Sequence, residues 1–178
     1  GINYYNIHTL NIDLGLGDDV FNVQGTTSLA NVFTGAGDDR IYISSEANVT
    51  QTDSPDFLTG DLDDIDGMLN IDAGSDRNLL MISDEAAVDG NDAVLITDTE
   101  ATALTRDSGV NRALSRWPDV LADALDTEIY VIGLADATIT YRAAADGNFA
   151  DGVTIWSGFG DDAFVVDGTH LRSGYRTV

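Results

Sequence analysis

Apolar residues alternate with polar ones in short bursts along the chain. Leu10 and Ile12 form the first pair, Phe21 and Val23 the second, Ile41 and Ile43 the third. The spacing returns at Leu69 and Ile71, Ile139 and Tyr141, Val153 and Ile155, and Phe164 and Val166. Period-two alternation over a few residues, bounded by Gly and Asp, predicts short strands with one buried face. One stretch has a different rhythm. Between Asp107 and Asp126, the residues Val110, Leu114, Trp117, Leu121 and Leu125 recur every three or four positions, which predicts a helix over 107–126 with one apolar face. Pro118 should kink that helix or start a second one. Residues 46–57 are polar and hold Pro55, so they read as a surface loop.

What separates the strands is itself repeated. Gly15-Leu16-Gly17-Asp18-Asp19 runs directly into Val20-Phe21-Asn22-Val23, and Gly35-Ala36-Gly37-Asp38-Asp39 into Arg40-Ile41-Tyr42-Ile43. Gly158-Phe159-Gly160-Asp161-Asp162 leads into Ala163-Phe164-Val165-Val166. Weaker copies lie between. Leu69-Asn70-Ile71-Asp72-Ala73-Gly74 nearly repeats Leu10-Asn11-Ile12-Asp13-Leu14-Gly15, and Gly60, Gly90 and Gly133 open partial versions. A turn that recurs before a strand implies that successive winds of the chain lie over one another, each burying its apolar face on the next. The expected fold is therefore all-β, a parallel β-solenoid of β-helix or β-roll type spanning residues 1–178 as one domain, with the helical insertion at 107–126. The chain reads as a segment of a longer repeat protein.

Glycine permits positive φ and close approach of backbone, so turn carbonyls can point inward. Aspartate adds a hard oxygen, and Ca²⁺ takes six to eight such oxygens from carboxylates and carbonyls. One turn cannot supply that many, whereas two stacked turns can. The leading candidate ligands are Asp18, Asp19, Asp38 and Asp39 in the two best-preserved turns, followed by Asp161 and Asp162, by Asp63 and Asp64, and by Asp92. The competing reading is that these carboxylates only bond backbone amides within turns.

The phrase resembles the RTX, or hemolysin-type, calcium-binding nonapeptide repeat, Gly-Gly-x-Gly-x-Asp-x-apolar-x. Gly15, Gly17, Asp19 and Phe21 fall on that pattern, as do Gly35, Gly37, Asp39 and Ile41, and Gly158, Gly160, Asp162 and Phe164. Gly90, Asp92 and Val94 match its second half. The resemblance implies a parallel β-roll with Ca²⁺ held between successive turns by aspartates and backbone carbonyls. Two departures stand out: Leu14, Thr34 and Ser157 replace the first glycine, and the nonapeptides are not in tandem.

Charge sharpens this picture. The 178 residues carry 31 acids against 8 basic residues, for a net charge of -23, and 27 of the acids are Asp. Such a surface repels nucleic-acid phosphates and anionic membranes. It also opposes compaction unless cations neutralise it, which fits either calcium binding or a high-salt habitat. There is no cysteine, and no apolar run long enough to span a bilayer. His8 and His170 stand apart from any nucleophile or metal-ligand pattern, so no catalytic residue is assigned. The expected function is a calcium-binding structural or adhesive module of a large secreted or cell-surface bacterial protein. Its expected partners are calcium ions, homotypic contacts at its ends and a surface glycan. The alternatives are a carbohydrate-active enzyme, with Trp156 walling a cleft, and a halophilic structural module without specific calcium. Both tryptophans otherwise read as packing residues.

Overall fold

A computed structural model of the 178-residue chain describes residues 7–98, 128–144 and 146–167. Every regular element among them is a strand. In chain order these are β1 (Thr9–Asp13), β2 (Val20–Val23), β3 (Leu29–Phe33), β4 (Arg40–Ile43), β5 (Leu69–Asp72) and β6 (Asp76–Ser83). There follow β7 (Val94–Thr97), β8 (Ile129–Ile132), β9 (Ile139–Arg142), β10 (Gly147–Trp156) and β11 (Phe164–Asp167). They form a seven-stranded sheet, β1-β3-β5-β9-β8-β7-β11, and a four-stranded sheet, β10-β6-β4-β2.

From β1 to β6 the chain alternates between the sheets. β1 pairs with β3 and β3 with β5, all parallel, while β2 pairs with β4 and β4 with β6 in the same sense. The alternation read from sequence sets the faces. Val32, Ile71 and Ile139 from one sheet join Ile41, Ile43, Leu80 and Ile82 from the other in one buried cluster. By register, Leu10, Ile12, Phe21 and Val23 point the same way. On the opposite face of the seven-stranded sheet, β1, β3, β5 and β9 place Asn11, Asn31, Asn70 and Thr140 in register. Asn31 donates to Asn11 and Asn70 to Asn31, each at 2.8 Å, and the Thr140 hydroxyl lies 2.8 Å from Asn70 Oδ1. Cross-strand amides in register bond as a ladder, which satisfies polar groups that would be costly to bury alone.

The expected parallel β-solenoid is corrected by the second half of the larger sheet. That sheet is mixed: β7 pairs with β8, and β8 with β9, antiparallel, and neither sheet closes on itself. For β8 and β9, connection length supplies the reason. Only residues 133–138 join β8 to β9, and Gly133 turns there with φ 81°. So short a link returns a strand beside its predecessor in the opposite sense, since parallel neighbours need a crossover of about a dozen residues or more. Gly133 therefore opens a hairpin and not another stacked turn. The predicted helix at 107–126 lies outside the described residues, as does Trp117. Among the described residues no helix is long and apolar enough to cross a membrane.

Residues 46–57 are a loop, as expected, but not a free one. The Asn22 amide brackets Val49, donating to its carbonyl at 2.9 Å and accepting from its N–H at 3.0 Å. Arg40 donates to the carbonyls of Gln51 and Asp53. The loop thus lies against the outer face of the four-stranded sheet, where Tyr42, Ala47, Leu58 and Met81 form a second buried cluster. Trp156 packs on that outer cluster, half-buried, with its ring edge-on to Phe57 at 5.6 Å.

Candidate functional site

Turns between the sheets stack in two groups. Those leading from the larger sheet to the smaller form the first. A β-carbon on Gly35 would run into the Gly15 carbonyl oxygen, and one on Gly74 into the Gly35 oxygen. Both residues also sit at positive φ, 97° and 60°, so the glycine is required twice over. Gly15, Gly35 and Gly74 therefore mark one position in three successive winds.

Two carboxylate ladders run up this stack. In the outer one, Asp38 N–H donates to Asp18 Oδ1 at 2.9 Å and Arg77 N–H donates to Asp38 Oδ1 at 3.1 Å. In the inner one, Asp19 N–H donates to Asp39 Oδ1 at 2.9 Å, and Asp39 N–H to Asn78 Oδ1 at 3.2 Å. The third turn, Gly74-Ser75-Asp76-Arg77-Asn78, thus occupies the place of Gly-x-Gly-Asp-Asp without its spelling. Asp76 stands where Gly17 and Gly37 stand and takes the left-handed conformation, φ 65°, which aspartate tolerates better than most side chains.

The inner ladder leaves oxygens over. Asp39 is 1% exposed and Thr34 fully buried, and Asp19 Oδ2, Asp39 Oδ2 and Thr34 Oγ1 are buried without a hydrogen-bond partner. Burial holds the Asp39 carboxyl above the ordinary aspartate value of 3.8. The nearby Thr34 hydroxyl and the Asp19 amide pull against it, while the charges of Asp19 and Asp18 push it further up. Thr34 is thus close enough to favour the carboxylate, yet completes no hydrogen bond of ordinary geometry. Buried unpaired oxygens of this kind call for a proton, a bound water or a cation. Among the described residues no three acidic or histidine side chains converge as a metal cage. A cation here would be held by two carboxylates, a hydroxyl and carbonyls of the same turns, a donor set that suits a hard ion.

The remaining candidate residues lie in the second group of turns. Gly158 stacks on Ala87, and Gly160 and Asp161 on Gly90, so the third copy of the phrase leads from the smaller sheet to the larger, away from the first two. Asp162 Oδ1 accepts the Asn91 N–H at 2.9 Å; this bond, with help from the Ser157 hydroxyl, holds its pKa below the usual value. Asp92 and Asp161 are exposed. Asp63 and Asp64 are also exposed, and the Asp64 carbonyl accepts the Thr26 N–H at 2.8 Å. Asp84, which the repeat pattern does not pick out, is the buried acid of this corner. It accepts from the Leu62 N–H at 3.0 Å and the Asn91 amide at 3.1 Å. Burial raises its pKa, opposed by those bonds and reinforced by Asp63 and Asp61. A sequence signal for it exists. Ile43-Ser44-Ser45-Glu46-Ala47 and Ile82-Ser83-Asp84-Glu85-Ala86 are copies, and Ile43 pairs in register with Ile82. His8 is exposed, and His170 lies outside the described residues.

No family model, no curated protein and no solved structure matches the chain.

Proposed function

We propose that this chain is a calcium-rigidified structural and adhesive module of a large secreted or cell-surface protein. The observation that carries the reading is the trio of unpartnered buried oxygens on Asp19, Asp39 and Thr34, set between two stacked glycine turns. A divalent ion there would neutralise two carboxylates at once. Asp18 and Asp38, both exposed, add negative charge at the rim, and carbonyls of the same turns would have to complete the shell. The ion's role is mechanical. It binds only where two turns are stacked, so it stabilises the stack by linkage, about 2.7 kcal/mol at a hundredfold excess over Kd. The strongly acidic surface works the same way on a larger scale, because cations relieve its self-repulsion. No catalytic step is assigned.

The rival reading is pure turn chemistry, favoured by the amide that each of Asp18, Asp38, Asp39 and Asp162 already accepts. Thermal melts at constant ionic strength decide between them. Calcium should raise the melting temperature saturably over chelated protein, and magnesium at the same concentration should raise it much less. Equal, unsaturating effects of the two ions would mean general screening and would end the calcium reading.

A further inference from the structure

The inner ladder does not carry a carboxylate at every level. Asp19 and Asp39 are followed in the third wind by Asn78, whose Oδ1 accepts the Asp39 N–H at 3.2 Å. Asn78 is fully buried, and its Nδ2 donates to the Ser75 carbonyl at 3.3 Å and to the Asn148 carbonyl at 3.2 Å. With one N–H received and two carbonyls engaged, the amide fits in one orientation only. We infer that Asn78 ends the cation-binding ladder: its NH2 group supplies, as part of the chain, the positive pole that a bound ion supplies in the winds before it. The inference rests on the calcium reading above and says where that binding stops.

Register fixes which atoms correspond. Ser75 N–H donates to the Gly35 carbonyl as Ala36 N–H does to that of Gly15, so Ser75 holds the place of Ala36. Arg77 holds the place of Asp38 and Asp18 in the outer ladder, and Asn148 pairs with Arg77 one wind on. Asn78 Nδ2 thus lies between a carbonyl of its own turn and a carbonyl of the next wind. By that correspondence, the place beside Asp39 belongs to the carbonyls of Ala36 and Arg77, and the Asp39 oxygen for that place is Oδ2, buried and without a partner. Asp19 Oδ2, likewise unpartnered, is its equivalent one wind earlier. Oxygen faces oxygen at both levels, which calls for a proton, a water or a cation from solution. At the third level the chain brings its own donor.

The outer ladder changes at the same wind. Arg77 stands where the exposed Asp18 and Asp38 stand, and it pairs its guanidinium with Asp151. The first two winds therefore carry carboxylates at both ladder positions, and the third carries a guanidinium and an amide in their place. A cation entering beside Asn78 would meet N–H hydrogens where it needs oxygens, with a fixed positive charge next to it. Both residues act in one direction: they confine the cation to the winds that spell Asp-Asp.

The test is calorimetric titration with calcium, together with thermal melts at constant ionic strength, on the full chain and on Asn78→Asp. The variant keeps the oxygen that accepts the Asp39 N–H and sets a second oxygen against the Ser75 and Asn148 carbonyls in place of the NH2 group. In chelator it should melt below the wild type, because two hydrogen bonds are lost and a buried charge is added. With saturating calcium it should bind one ion more per chain than the wild type, and its melting temperature should rise further. Arg77→Asp makes the same wind more negative still but leaves the Asn78 amide in place, so it should bind no more ions than the wild type. If Asn78→Asp is unfolded in chelator, its folding on addition of calcium is the readout, and a variant that calcium does not fold overturns the inference. An unchanged ion count in Asn78→Asp, or an equal gain in Arg77→Asp, overturns it too. Where the wild-type melt responds to calcium and Asn78→Asp gains no ion, this inference alone falls; a wild type that calcium does not stabilise removes both readings.

Discussion

Asp39 concentrates the chemistry of the stack in one side chain. Its Oδ1 does a structural job that a neutral amide does equally well one wind later, where Asn78 accepts the Asp39 N–H. Its Oδ2 is buried without a partner. Asp39→Asn keeps the first oxygen and removes the buried charge. In chelator at neutral pH the variant should therefore melt higher than the wild type, since a carboxylate whose pKa is raised by burial is destabilising when ionised. With calcium the order should reverse, because the variant has lost a ligand charge. Paired melts with and without chelator check both halves. A variant that responds to calcium as strongly as the wild type would remove Asp39 from the site.

At the level of the element, the turn is built by contact between backbones. Gly15 and Gly35 share a left-handed φ, 93° and 97°, but only Gly35 carries another turn's carbonyl against its α-carbon. Gly15→Ala should lose only the conformational preference, about 1 kcal/mol for a side chain forced to positive φ. Gly35→Ala must also displace the Gly15 carbonyl, adding about 1–3 kcal/mol of overpacking. Urea unfolding of the two variants measures the difference, which isolates the stacking contact from glycine's intrinsic freedom. Equal losses would show that the turns are not in contact. The hairpin of β8 and β9 obeys another rule: a short link, and not a stacked glycine, sets the direction of its strands.

For the whole molecule, pH dependence follows from which carboxyls burial perturbs. Asp39 and Asp84 have folded-state pKa values raised above the ordinary 3.8 by burial. A carboxyl raised on folding contributes stability that is fully present below its unfolded pKa and lost as pH rises through the folded one. Asp53 and Asp162 are depressed by hydrogen bonds, so they act in the opposite sense and lose stability as pH falls below 3.8. The net charge of -23 reinforces the first pair, since protonation relieves repulsion. In chelator the melting temperature should therefore rise as pH is lowered from 7, pass a maximum near the ordinary aspartate value of 3.8, and fall below it. A melting temperature that rises nowhere between pH 7 and 3.8 would contradict the assignment of buried, ionised aspartates.

Much of the local order was legible along the chain. Strands at Leu10, Phe21, Ile41, Leu69, Ile139, Val153 and Phe164 follow from period-two alternation, because a face packed on a core must be apolar wherever it lies. The kinship of Leu69–Gly74 with Leu10–Gly15 was visible for the same reason, and Asn11, Asn31 and Asn70 do fall in one ladder. The turns were legible only in part. Asp76 and Asn78 do the work of a glycine and an aspartate, since φ and an acceptor oxygen are what the turn selects and more than one residue supplies each. Which residues face inward, and the turns that carry the Gly-x-Gly-Asp-Asp phrase, follow from neighbours a few positions away. The antiparallel return at Gly133 and the placement of Gly158 in the other stack came from the tertiary structure. They depend on pairing between strands distant in sequence, where connection length and strand direction, and not residue type, select the partner.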